Sequence, residues 1–200
     1  MTNKEWLEKY PWLRGYDPYP EENDSDINSL EWLPEGWVKA FGEEMCEDLD
    51  RVIKSENLQD EFRIIEAKEK YGQIRLYCDP CIPAIQDVLR VYEACSEVIC
   101  VYCGSIENVK FTNFGWCQPC CKSCFEKTSY VRNIEKFNAL PTEKLPTVVK
   151  WSRCSKNGTE HFEVDISETV EKIRERYNAR KASGEFEVND FEEDENYYGA

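Results

Sequence analysis

Apolar residues recur at helical spacing in PEGWVKAFGEEMCEDLDRVIK, where Trp37, Phe41, Met45, Leu49 and Val52 are separated by acids. The pattern predicts an amphipathic helix over 36–54 with its stripe in a core. Cys46, next to Met45, is expected to be a buried or half-buried thiol. In EFRIIEAKEKYGQIRLYC, two β-type runs at 62–68 and 73–78 flank KYGQ, and Gly72 supplies the turn of a hairpin. Lys68, Lys70 and Arg75 read as its solvated face. Ile85, Val88, Leu89 and Tyr92 mark a helix over 82–96, with Pro83 in the first turn, where a missing N–H costs little. Residues 128–146 are poorly patterned. TVVKWSRCSKNGTEHFEVDI then alternates on both sides of Asn157-Gly158, a strong hairpin signal. Val149 and Trp151 share a face of its first strand; Phe162, Val164 and Ile166 share a face of the second. Ser167 is expected to cap a last helix over 168–182, with Val170, Ile173 and Tyr177 turned inward.

The ends differ from this body. Residues 1–30 are rich in aromatics, Pro and acids, and read as an extended arm pinning Trp6, Trp12 and Leu13 to the domain. Residues 183–200 hold seven acids and no base, and read as a disordered acidic tail. The remaining segments are a core over 31–127 and a hairpin with helix over 128–182. The net charge is −15, concentrated at the ends; residues 98–156 carry nine bases against four acids. The N-terminus shows no secretory pattern, and no apolar run reaches the roughly 20 residues that span a bilayer. A cytoplasmic protein with no membrane partner is expected. Eleven cysteines in a reducing compartment suggest thiols and metal more than disulfides.

Six of those cysteines fall within ICVYCGSIENVKFTNFGWCQPCCKSCFEK. Thiolates in CxxC spacing let one short turn offer two sulfurs to a single Zn²⁺. Cys100 and Cys103 form one such pair, and Gly104 after them can take positive φ and let backbone N–H groups approach the sulfurs. The second pair is either Cys117 with Cys120 or Cys121 with Cys124. Four cysteines and no histidine describe a closed, structural zinc site, because a catalytic zinc keeps a position for water. Cys78-Asp-Pro-Cys81 is a further CxxC. It reads as spare thiols, as half of a second site with Cys117 and Cys120, or as a redox pair between a strand and a helix. The fold expected is α+β: a helix-hairpin-helix core with an embedded four-cysteine zinc ribbon (97–127) and a C-terminal β-hairpin plus helix.

LPEGWVKAFGEEMCEDL, EAKEKYGQIRLY, VYEACSEVICVYCG and the following GW…C…C together resemble small proteins encoded by bacteriophages and prophages, a family without an assigned activity. The likeness covers roughly residues 5–125. In that family GW is followed by four residues and then CxxC. Counted from Trp116, this implies Cys100, Cys103, Cys121 and Cys124 as the ligands, with Cys117 and Cys120 peculiar to this chain. It also implies a host or defence protein as partner.

Three functions compete. The preferred one is a non-enzymatic protein-interaction module held by structural zinc, one form being an acidic inhibitor that occupies a nucleic-acid site. A second is nucleic-acid binding through Lys110, Lys122, Lys127, Arg132 and Lys150 with Phe111, Phe114 and Trp116; the net charge opposes it. The third is a zinc nucleobase or nucleotide deaminase, from Cys95-Ser-Glu97 with Pro119-Cys-Cys121-Lys-Ser-Cys124. There an extra Cys interrupts the second motif. His161-Phe-Glu163 has the first motif's form but follows the second, and the lone His161 reads as a surface strand residue. No Walker loop, GxSxG, HExxH or EF-hand loop is present.

Overall fold

A computed structural model describes residues 1–15, 27–114, 117–128, 134–156 and 158–184. Asn157 of the expected hairpin turn, Trp116, Arg132 and residues 185–200 lie outside these. The architecture is α+β, with helices packed beside small antiparallel sheets.

The N-terminal segment departs from an extended arm. Helix α1 spans Asn3–Lys9 behind a capping box: Thr2 accepts from the Glu5 N–H, and the Glu5 carboxylate accepts from the Thr2 N–H. Two 3₁₀ turns follow, Pro11–Leu13 and Ser29–Trp32. The anchors behave as expected, since Trp6, Trp12 and Leu13 are all buried.

Helix α2 (Glu35–Ser55) buries Trp37, Phe41, Met45, Cys46 and Leu49 along one stripe. Strands β1 (Arg63–Lys70) and β2 (Gln73–Asp79) form a hairpin with an irregularity between Ile64 and Glu66. Tyr71 and Gly72 both take positive φ at its turn. Helix α3 (Pro83–Ser96) buries Ile85, Leu89 and Tyr92 against α2. Tyr92 donates to Asp48 at 2.7 Å, and its ring lies 5.6 Å from that of Phe41.

Beyond α3 come β3 (Val109–Thr112), β4 (Gln118–Cys121), α4 (Lys122–Thr128) and α5 (Ile134–Ala139). The region therefore adds two short helices to the loops and strands expected. Helix α5 lies in the poorly patterned stretch and buries Phe137, which stacks on Phe125 with ring centroids 4.4 Å apart. Strands β5 (Val148–Ser155) and β6 (Gly158–Asp165) pair Val149 with Val164 and Trp151 with Phe162.

Helix α6 (Ser167–Ala182) turns Val170, Ile173 and Tyr177 inward. Ser167 is its first residue and not its cap. The Asp165 carboxylate, one position before Ile166 at the N-cap, accepts the Ser167 N–H at 2.8 Å. A carboxylate there satisfies the free N–H and complements the positive helix end.

Helices α1 and α6 both meet α2 at one acidic pair. Lys9 reaches Glu43 at 2.8 Å, and Arg176 of α6 pairs with Glu43 at 2.8 Å and with Glu44. Burial raises the Glu44 carboxyl above its ordinary range, outweighing the attraction of Arg176. A raised acid binds its proton more tightly folded than unfolded, so ionised Glu44 opposes folding at neutral pH and less so as pH falls. Arg176→Ala is expected to cost about 2 kcal/mol at neutral pH, tempered by the partial exposure of Arg176. The gap to wild type should narrow at mildly acid pH as Glu44 takes up a proton. Urea unfolding at the two pH values measures this, and a gap that widens on acidification would refute it.

Candidate metal centre

The first CxxC lies in the turn leaving α3. Gly104 takes φ +77°, and its N–H donates to the Cys100 carbonyl at 2.9 Å, closing the turn. The Cys100 N–H donates to the Ser105 carbonyl at 2.9 Å. The Val101 N–H donates to the Pro119 carbonyl of β4 at 3.1 Å, tying this turn to the second pair. Cys121 ends β4 opposite Val109, and Cys124 lies in the first turn of α4. Residues three apart at a helix start face the same way, so both sulfurs point back to the first turn.

The Sγ atoms of Cys100, Cys103, Cys121 and Cys124 all lie within 4.8 Å of one another. Cys103 and Cys121 are 3.7 Å apart. A tetrahedral ion with metal–sulfur bonds of about 2.3 Å places its ligands about 3.8 Å apart. The four thiols therefore fit a single metal ion of that size. Cys100, Cys121 and Cys124 are buried and Cys103 half-buried. Hydrogen bonds from Cys103, Cys120, Cys121 and Cys124 hold the Cys100 thiol well below its ordinary range. The same contacts with Cys100 push Cys103 and Cys124 up. Against the raising effect of Cys100, hydrogen bonds from Cys103 and Cys124 hold Cys121 below its ordinary range too, and a bound cation would displace the remaining protons.

Helix α2 abuts the first turn through the GW motif. The Gly36 N–H donates to the Val101 carbonyl at 3.0 Å, and Trp37 Nε1 donates to the Ile99 carbonyl at 3.0 Å. A Cβ on Gly36 would press on the Cys100 carbonyl, 2.6 Å from that of Val101 and 2.7 Å from Gly104 N. The positive end of a long helix so placed favours thiolate charge in the turn. Spacing along the chain gives no sign of this contact. The one available signal is the short dipeptide Gly36-Trp37 at the head of the apolar stripe.

Other elements brace the centre. The turn of the first hairpin rests on the second: a Cβ on Gly72 would come 2.7 Å from Phe111 Cζ and 3.2 Å from Pro119 Cδ. From α6, Tyr177 lies 3.5 Å from the Ser105 hydroxyl, and Lys181 pairs with Glu107 at 2.8 Å. Cys100, Cys120, Cys121 and Cys124 share a small core with Val109, Phe125 and Phe137.

The remaining cysteines do not assemble into a second site. Among the described residues, the cluster above is the one group of three or more His, Cys, Asp or Glu placed to hold an ion. Cys120 is drawn instead to the first cluster. Its buried thiol donates to the Cys121 carbonyl at 3.3 Å and interacts with Cys100. Cys78 interacts with Cys81, and neither joins Cys117 and Cys120 in a group placed to hold an ion.

Several of the residues named for other functions make contacts within the fold. Lys110 donates to the Asn138 and Leu140 carbonyls. Lys122 pairs with Glu126 and Lys150 with Glu163. Lys127 sits exposed in the last turn of α4. Phe111 lies under the Gly72 turn, and Phe114 packs edge-on to Phe125 at 5.9 Å. Cys95 is buried at the end of α3, outside the cluster, and Glu97 is bonded to Gln73. His161 is exposed on β6, 2.7 Å from the Ser152 hydroxyl. No described helix is long and apolar enough to cross a membrane. No family model, curated protein or solved structure matches the chain.

Proposed function

We propose that this chain is a zinc-stabilised, non-enzymatic protein-interaction module. The observation that carries the reading is the convergence of four cysteine sulfurs from two CxxC pairs with no other donor among them. Four thiolates favour Zn²⁺ in a tetrahedral, ribbon-like site and fill every position of it, leaving none for substrate or water. The same closure speaks against the deaminase, whose chemistry requires one open position. With catalysis set aside, the chain offers a braced surface and a net charge of −15, which suits a basic partner. The likeness to phage and prophage proteins supports a cytoplasmic host or defence protein in that role.

Metal analysis of the purified chain should find one zinc per molecule, and X-ray absorption at the zinc edge should report four sulfur neighbours. A mixed shell containing oxygen or nitrogen would overturn the closed site. Zinc-loaded bait should then retain a host protein at physiological salt and release it at high salt, as an acidic surface requires. Return of no partner would overturn the interaction reading while leaving the zinc site in place.

A further inference from the structure

The dithiol Cys78-Asp-Pro-Cys81 remains outside the metal centre. It occupies the junction where β2 ends and α3 is about to begin. Cys81 is exposed and Cys78 half-buried, and the two thiols interact with each other. The junction is held on both sides. Arg63 pairs with Asp79 at 3.0 Å across the hairpin, and Gln86 Nε2 donates to the Cys81 carbonyl at 3.2 Å from the first turn of α3. An exposed thiol beside a half-buried one, three residues apart in a braced turn, has the layout of an attacking and a resolving sulfur.

We propose that Cys78 and Cys81 form a reversible redox pair that closes to an intramolecular disulfide by exchange with a small-molecule disulfide such as oxidised glutathione. Cys81, as thiolate, attacks one glutathione sulfur. The glutathione S–S bond breaks and the first glutathione leaves as a thiolate that takes up a proton. Cys78 then loses its proton and attacks the Cys81 sulfur, the mixed disulfide breaks, and the second glutathione leaves. The protein dithiol is oxidised by two electrons and the glutathione disulfide is reduced to two thiols. Burial pushes the Cys78 thiol up to about 12, which leaves the first attack to the exposed Cys81 and makes the Cys78 step the slower of the two. In the proposed zinc-bound form the four metal-centre sulfurs are withheld from the same exchange by bonding to the ion, and Cys100, Cys121 and Cys124 also by burial.

The zinc-loaded full-length chain, equilibrated in glutathione buffers of rising oxidation, tests this through thiol labelling, peptide mass mapping and zinc content. The expected result is loss of two free thiols per molecule, a disulfide mapped to Cys78–Cys81, unchanged zinc, and full recovery on returning to reduced glutathione. Cys78→Ser should trap one glutathione on Cys81. Cys81→Ser should abolish the intramolecular bond. A glutathione adduct that persists on wild-type Cys81, pairing of either residue with exposed Cys154, or oxidation only as zinc is lost would each overturn the proposal. None of these outcomes depends on whether the chain binds a protein partner.

Discussion

Removing the metal with a strong chelator, or replacing Cys124 with Ser, is expected to unfold the region around the second small core. The fully buried part of that core is Cys100, Cys120, Cys121 and Cys124 with Val109, Phe125 and Phe137, and Tyr102, Phe114 and Ile134 pack on it half-buried. So small an apolar cluster, with thiols crowded at its centre, is a weak substitute for a bound ion. Structural zinc contributes about 10–16 kcal/mol in isolated zinc-finger peptides, whereas a whole domain has about 5–15 kcal/mol in net stability. Loss of the ion is therefore comparable to the full margin, even after strain and residual packing are allowed for. The melting temperature should fall by more than ~10 °C. Hydrogen exchange should show lost protection from β3 through α5 and at the start of α2. An unchanged melting curve after verified zinc removal would contradict the structural role.

Gly36→Ala should be strongly damaging. Its Cβ would collide with three backbone atoms of the Cys100–Gly104 turn, and backbone cannot swing aside as a side chain does. Either α2 lifts away, losing the Gly36 and Trp37 hydrogen bonds, or the turn opens and spreads the sulfurs. Overpacking against backbone costs about 3 kcal/mol, or ~6–12 °C in melting temperature for a chain of this size. Zinc retention against a competing chelator should weaken in parallel. Gly42→Ala in the same helix is the control. Its Cβ would meet side chains and no backbone, Val38 Cγ1 at 3.2 Å being the tightest and Trp6 Cη2 lying at 3.9 Å, and the helical preference for Ala offsets that within about 1 kcal/mol. Equal effects at the two glycines would show that the close approach at Gly36 does not matter.

The elements with strong periodicity are readable directly: the stripe from Trp37 to Leu49, the alternation around Gly72, and the apolar spacing after Pro83. Each depends on interactions within one segment, and segments of that kind declare themselves locally. The capping box at Thr2–Glu5 is equally local and marks a helix where an extended arm is the simpler reading of the surrounding prolines. Helix α5 is too short for a period, and its one buried ring, Phe137, gains meaning only from Phe125. At the metal centre, CxxC spacing leaves two choices for the second pair, and the fold brings Cys121 and Cys124 to Cys100 and Cys103. The destination of the Cys120 sulfur depends on how β4 meets the first turn, which no spacing rule contains. The contact between Gly36 and Gly104 joins positions far apart along the chain, and only folded coordinates reveal it.

Glu43 joins residues far apart along the chain, Lys9 and Arg176. During synthesis Lys9 and Glu43 emerge early, and the four metal-centre cysteines follow. Arg176 leaves the ribosome after them. The cysteine turn can therefore close on a nascent chain whose α2 is still uncovered along the face awaiting α6. The arrival of α6, with Val170, Ile173 and Tyr177 turned inward, then covers that face. Translation order thus gives the two halves of the molecule different histories: one closes around its cysteine cluster, the other under a late-arriving helix.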